Sequence, residues 1–249
     1  MSKAFLPVKI IDKQWADKLL TGSVYMRSLH EFGAWNRDKS ESTKNSFRGD
    51  IHEGIIENID VKKGNPTFDL FPQELKDVIT NAWHIDVNHF QFLKIYCMYC
   101  LTYDLAVKQF EKPDGRLLDF GDTSVIIYNP DEFLARAVKS LANKYGDNVY
   151  FDMGNVCYFD INKDFSSFSD VFYKTKFYDW QKELRMVVGL LNGNFQIVNE
   201  IGQPLKPLIQ STSPLELQIG NIQDIAIAIP TKALVELDIP KTIGAPYAP

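Results

Sequence analysis

Apolar and polar positions along this chain switch repeatedly between a period of two and a helical period. Residues 5–11 read as a strand. Asp12 stands where it can cap a helix to about residue 20, with Trp15, Leu19 and Leu20 on one face and Gly22 as its stop. Residues 24–28 read as a second strand. Residues 37–49 carry almost no apolar side chain and read as a loop. A strand is expected over 54–61 and a helix over 72–83, with Pro72 in its first turn. Residues 91–102, aromatic, β-branched and Cys-bearing, read as a central strand, followed by one at 123–128.

Asn129 opens a helix to about residue 143, with Phe133, Leu134, Ala137, Val138 and Leu141 at helical spacing. Residues 148–161 return as a strand, and 165–177 read as helix or packed loop. Strands follow at 183–191, 195–198, 215–219 and 225–229, and Asn192-Gly193 fits a tight hairpin turn between the first two. Thr231 is placed to cap a short last helix.

Helical patterns lie mainly in the first two-thirds, and strands crowd the last third without regular crossover helices. This argues for a single α+β domain over residues 1–249 with a mainly antiparallel or mixed sheet. The 249 residues suffice for a core without disulfide or metal staples. A 13% aromatic content favours a bulky, sheet-based interior.

A net charge of −5 argues against a dedicated duplex-DNA binder, which would carry a basic stripe. No apolar run approaches a membrane span. The start, Met1-Ser2-Lys3-Ala4-Phe5, lacks the pattern of a secretory signal. Three cysteines are too few for a disulfide framework. Together these features read as a cytoplasmic protein with no membrane partner.

The most informative segment is Tyr178-Asp179-Trp180-Gln181-Lys182-Glu183-Leu184-Arg185. On a strand, Gln181, Glu183 and Arg185 share one face while Leu184, Met186 and Val188 share the other. The polar row either faces solvent as a Glu–Arg pair or lines a cleft. In a cleft, a carboxylate can accept a proton, bind a ribose hydroxyl or stabilise developing positive charge. Tyr178 and Trp180 lie beside this row, where they could stack on a planar ligand.

Two other segments offer ligand-binding groups. Arg48, Asp50, His52 and Glu53 cluster with Gly49 and Gly54 after the polar loop. They read either as a solvated turn or as a flap, with Arg48 suited to a phosphate. Arg27 sits near the end of the second strand and His30 just beyond it, as surface groups or as anchors for a phosphate or ribose.

Cys97-Met98-Tyr99-Cys100 is a poor metal half-site. Positions three apart on a strand face opposite sides, and no second cysteine pair exists. The cysteines read as buried and inert, and no structural metal is expected. The glycine-rich phosphate loops, the zinc-protease helix and the nucleophile elbow are all absent from the sequence.

The order of the segments resembles a widespread, poorly characterised group of bacterial and phage proteins. The matching stretches are Ser28-Leu29-His30-Glu31-Phe32, residues 50–54, residues 97–102, Gly121-Asp122, and an aromatic-x-x-Gln-x-Glu-x-Arg element at Tyr178 to Arg185. A looser similarity is to ADP-ribosyltransferases. These use an early Arg or His, a middle Ser/Thr-bearing strand and a late Glu/Gln-x-Glu strand. By position the similarity implies Arg27 or His30, Thr102, and Gln181 with Glu183. It also implies NAD as substrate, with the glutamate stabilising an oxocarbenium-like transition state. The middle strand ends Cys100-Leu101-Thr102 rather than in the family's Ser-Thr-Ser.

Three functions compete. The first is an NAD-consuming ADP-ribosyltransferase-like effector, in phage–host conflict or as a toxin, with a protein or nucleic acid as acceptor. Its catalytic residues would be Glu183 and Gln181, and its ligand contacts Arg27, His30, Arg48, Asp50, Glu53, Thr102, Tyr178 and Arg185. The second is a non-catalytic defence or anti-defence component that binds a protein or nucleotide. The third is a metal-dependent nuclease using Asp50, Glu53, Asp122 and Glu183.

Overall fold

The computed structural model describes residues 3–29, 31, 92–159, 171–191, 197–198, 204–205, 209 and 211–239. In chain order the elements are β1 (Lys3–Ile11), α1 (Lys13–Leu20), β2 (Ser23–Ser28), β3 (Lys94–Asp104), β4 (Gln109–Phe110), β5 (Thr123–Ile127), α2 (Pro130–Tyr145), β6 (Val149–Asn155) and β7 (Cys157–Phe159). Then come β8 (Tyr173–Thr175), β9 (Glu183–Leu190), β10 (Ile197–Val198), β11 (Pro204–Leu205), β12 (Leu215–Gln218), β13 (Ala226–Pro230) and α3 (Thr231–Glu236). Single 3-10 turns occupy Gly115–Phe120 and Lys176–Gln181.

Nine strands form one sheet whose pairings are all antiparallel, and β7 and β8 make a separate parallel pair. With its accompanying helices this is the α+β architecture the sequence predicts. Among the described residues no helix is long and apolar enough to cross a membrane.

β3 organises the sheet because its length lets it pair with four strands. On one edge, Lys94 to Tyr99 pair with β9, and Tyr103 and Asp104 pair with β4. On the other edge, Lys94 and Ile95 pair with β2, while Tyr99 to Asp104 pair with β1. Both β1 and β2 run antiparallel to β3, so they run parallel to each other, with α1 as the crossover. They diverge, and Tyr96, Cys97 and Met98 have no paired strand residue on that edge among the described residues. The sheet is therefore split.

Strand alternation sorts the core onto two faces. Tyr96, Met98, Leu184 and Met186 pack with Ala16 and Leu19 of α1 and with Phe133, Ala137 and Leu141 of α2. Each such large side chain contributes roughly 1.5–3 kcal/mol by burial, which seats α2 on its apolar stripe. Its N-terminus is capped as expected: the Asn129 side chain accepts from the Glu132 N–H at 3.2 Å. On the opposite face Leu6, Val8, Tyr99 and Leu101 pack with Leu117, Trp180 and Leu234, and Ile95 and Val187 pack with Leu29 and Val171.

Several local expectations are corrected. Trp15 lies on the outer side of α1 at 48% exposure, and Ala16 and Leu19 form the buried stripe. Asp12 makes no side-chain cap; Asp122, from the start of β5, accepts the Lys13 N–H at 2.9 Å instead. The strand expected over 148–161 breaks at Val156, where the chain leaves β9 and pairs with β8. β10 pairs with β11 and not with β9, because β3 and β6 already occupy both edges of β9. Thr231 is the first residue of α3 rather than its cap, and its hydroxyl accepts from Ser124 at 3.1 Å. Residues 173–175, within the stretch read as helix or packed loop, form strand β8. The strand expected over 54–61, the helix over 72–83 and the Asn192-Gly193 turn lie outside the described residues.

Candidate functional site

The split in the sheet opens a cavity of about 540 Å³. This falls within the range of small-molecule pockets, which form where neighbouring elements diverge. Among the described residues, Lys9, Trp15, Lys18, Tyr96 and Met98 line its α1 side. Tyr25, Arg27, Lys174, Gln181 and Glu183 line the side facing away from α1. Lys9, Lys18, Arg27 and Lys174 set four cations against the carboxylates of Glu183 and Glu216. A locally cationic cavity in a chain of net charge −5 is electrostatically suited to an anionic ligand.

Glu183 begins β9, and Gln181 closes the preceding 3-10 turn, with Lys182 between them in the left-handed region at φ 38°. This turn brings Gln181 and Glu183 onto one buried cluster. Lys174 donates to Gln181 Oε1 at 2.7 Å and to Glu183 Oε2 at 3.1 Å. Arg185 donates to Glu183 Oε1 at 2.6 Å and Oε2 at 3.3 Å, and also to the Val171 carbonyl. The Glu183 N–H donates to the Tyr158 hydroxyl at 2.9 Å.

Gln181, Glu183, Arg185 and Lys174 are all buried. The polar row is thus not a solvated strand face. Burial alone would push the Glu183 carboxyl up, but Arg185 and Lys174 reverse this and hold it well below the usual carboxylate range. The lowered value favours the carboxylate form, which suits stabilising positive charge more than shuttling a proton.

Of the other expected site residues, Arg27 lines the cavity, with its guanidinium 5.7 Å from the centre of the Tyr25 ring. Arg185, at 1% exposure, lies behind Glu183 and does not line the cavity. Tyr178 is buried beneath Lys174, whose ammonium is 4.9 Å from the ring centre. Trp180 packs in the core under Arg116 and against Phe120, at 4.3 Å and 5.7 Å. The rings that do line the cavity and remain exposed are Trp15 and Tyr25. Thr102 lies three positions beyond Tyr99 on β3, off the cavity, with its hydroxyl donating to the Cys100 carbonyl at 3.4 Å. His30, Arg48, Asp50 and Glu53 lie outside the described residues.

Asp122 is engaged at the far end of β1, where it accepts from Lys13 N–H and from the Thr123 hydroxyl at 2.7 Å. It does not meet Glu183 at the cavity. Among the described residues no group of three or more His, Cys, Asp or Glu side chains could hold a metal ion. Cys97 and Cys100 face opposite sides of β3 as predicted. Burial pushes the Cys100 thiol up to about 12, so it stays protonated. Cys97 is half-buried and Cys157 exposed, so the expectation of buried cysteines holds for Cys100.

Lys9 and Lys174 are site residues that sequence reasoning missed. Lys9 carried a faint signal, as the single charge inside the apolar run of residues 5–11. Lys174 carried none, since its contacts depend on the turn that folds residues 176–181 back. Comparison with family models, with curated proteins and with solved structures finds no match to this chain.

Proposed function

We propose that the protein is an NAD-consuming, ADP-ribosyltransferase-like enzyme whose substrate lies in the cavity at the sheet split. The observation that carries this reading is the placement of Gln181 and the ion-paired Glu183 together on the wall of a cationic, nucleotide-sized cavity. In such a transfer the bond between ribose C1′ and the nicotinamide nitrogen breaks. The bonding electrons leave with nicotinamide, and C1′ gains oxocarbenium character. A carboxylate fixed in a dry site stabilises that charge without reorganising. The acceptor's lone pair then forms the new bond to C1′, and its proton passes to solvent. Gln181 would position the acceptor, and Arg27 would hold a phosphate. The setting of phage–host conflict or toxicity rests on the sequence resemblance alone.

A second reading has one specific observation in its favour. Both Glu183 oxygens already accept hydrogen bonds from Arg185 and Lys174, as in a structural ion cluster. On that reading the cavity binds a nucleotide-like ligand without turning it over.

Incubating the intact protein with labelled NAD and cell lysate separates the two. The first reading expects nicotinamide release and label on protein or nucleic acid, with both lost in Glu183→Gln. Because that exchange strips the counter-charge from two buried cations, its thermal midpoint has to be measured alongside. Gln181→Ala serves as the second variant, with release expected to fall at least tenfold. Saturable NAD binding with no nicotinamide release from the wild type would overturn the enzymatic reading.

A further inference from the structure

The α1 side of the cavity is chemically unlike the Glu183 side. Lys9 projects from β1 into the split, and its ammonium donates to the Cys97 carbonyl at 2.7 Å. Strand alternation points that carbonyl into the gap between β1 and β2, so the lysine substitutes for an absent strand partner. The ammonium also lies 4.2 Å from the centre of the Tyr96 ring. Two contacts therefore hold its position, while an ammonium has three donors.

Its charge, however, has no ion-pair partner among the described residues. Glu183 attracts it at longer range, but the Glu183 oxygens are bonded to Arg185 and Lys174. Lys9 is half-buried, and burial pushes its ammonium below the usual lysine range. An ammonium withdrawn from water without a counter-charge is costly. On the same side, the Tyr96 hydroxyl is buried with no hydrogen-bond partner among the described residues. Lys18, stacked 4.5 Å from the Trp15 ring centre, adds a second cation and an exposed aromatic face.

We infer that Lys9 is the central residue of an anion subsite on the α1 side of the cavity, which takes a phosphate group with Lys18 and Trp15 at its edge. A bound phosphate supplies the counter-charge that Lys9 lacks, and the remaining ammonium donors turn to its oxygens. The subsite is separate from the Glu183 cluster and stands whether or not the protein consumes NAD. The phosphate is either inorganic or part of a nucleotide. In the second case the base has Trp15 to stack on, a contact worth roughly 1–3 kcal/mol.

Calorimetric titration of the full chain with inorganic pyrophosphate and with ADP tests this. Both are expected to bind, and ADP at least fivefold tighter than pyrophosphate marks a nucleotide as the natural source. Equal affinities mark the phosphate alone. Lys9→Met is expected to weaken both at least tenfold, and Lys9→Arg to remain within threefold of wild type. Should Lys9→Met fail to fold because the Cys97 carbonyl loses its partner, Lys18→Ala gives the decisive reading, with binding weakened two- to fivefold in a folded protein. No binding of either probe at millimolar concentration overturns the subsite, as does unchanged affinity in a folded Lys9→Met, or in Lys18→Ala if Lys9→Met does not fold. Nicotinamide release plays no part in these measurements, so the subsite and the enzymatic reading fail independently.

Discussion

The two sides of the split cavity handle charge in opposite ways. On one side Glu183, Arg185, Lys174 and Gln181 are all buried, and their polar atoms bond to one another or to backbone. On the other side Lys9 is held by a carbonyl and a ring but meets no carboxylate among the described residues, and the Tyr96 hydroxyl has no partner. The first is charge-compensated within the chain, whereas on the second Lys9 has no ion-pair partner among the described residues, the contrast on which the proposed anion subsite rests. Charge compensation thus separates the two walls of one cavity: on the first the buried charges answer one another, and on the second the half-buried Lys9 ammonium lacks a carboxylate among the described residues.

The comparison breaks most directly at Arg185. Replacing it with Met leaves the buried Glu183 carboxylate with Lys174 as its remaining ion-pair partner among the described residues. Removing one partner of a buried pair costs about 3–5 kcal/mol, and denaturant unfolding should show a loss of that size. A loss under 1 kcal/mol would mean that the cluster does not support the fold as its geometry implies.

Acid acts on the same cluster. The folded-state Glu183 carboxyl lies below its ordinary value of 4.5. Its contribution to stability is therefore present above that value and declines as pH falls from there towards the depressed folded value. Thermal midpoints across this acid range should fall in the wild type and fall less steeply in Glu183→Gln. Parallel slopes would show that other carboxylates govern acid unfolding.

The smallest effect belongs to the opposite wall. Tyr96→Phe removes a hydroxyl that has no partner among the described residues, so the ligand-free protein should keep its stability to within about 0.5 kcal/mol or gain slightly. A loss above 1 kcal/mol in unfolding experiments would show that the hydroxyl is satisfied, and the contrast between the walls would weaken.

Much of the secondary structure was legible because it follows local rules. Asn129 caps α2, and of the five apolar positions at helical spacing Phe133, Ala137 and Leu141 form its buried stripe, while Leu134 is half-buried and Val138 exposed. The alternation of β9 correctly separates Leu184 and Met186 from Glu183 and Arg185. Trp15 was misplaced because a large apolar side chain was assigned to the core, whereas Trp15 lies outward beside Lys18 at the cavity mouth. Capping by Asp122 was invisible because its partner, Lys13, lies 109 positions away.

By itself the sequence determined many of the described helices and strands, an α+β class with a mainly antiparallel or mixed sheet, and the polar row around Glu183, since each depends on periodicity, capping or residue type within a short window. Only the tertiary structure decided that β1 and β2 leave the same edge of β3 at different points and open a cavity between them. The same was true of the buried state of Arg185, the approach of Lys174 and the isolation of Lys9. The physical reason is common to all of these. Strand pairing over long separations sets which side chains meet, and the resulting burial sets what each charge must do.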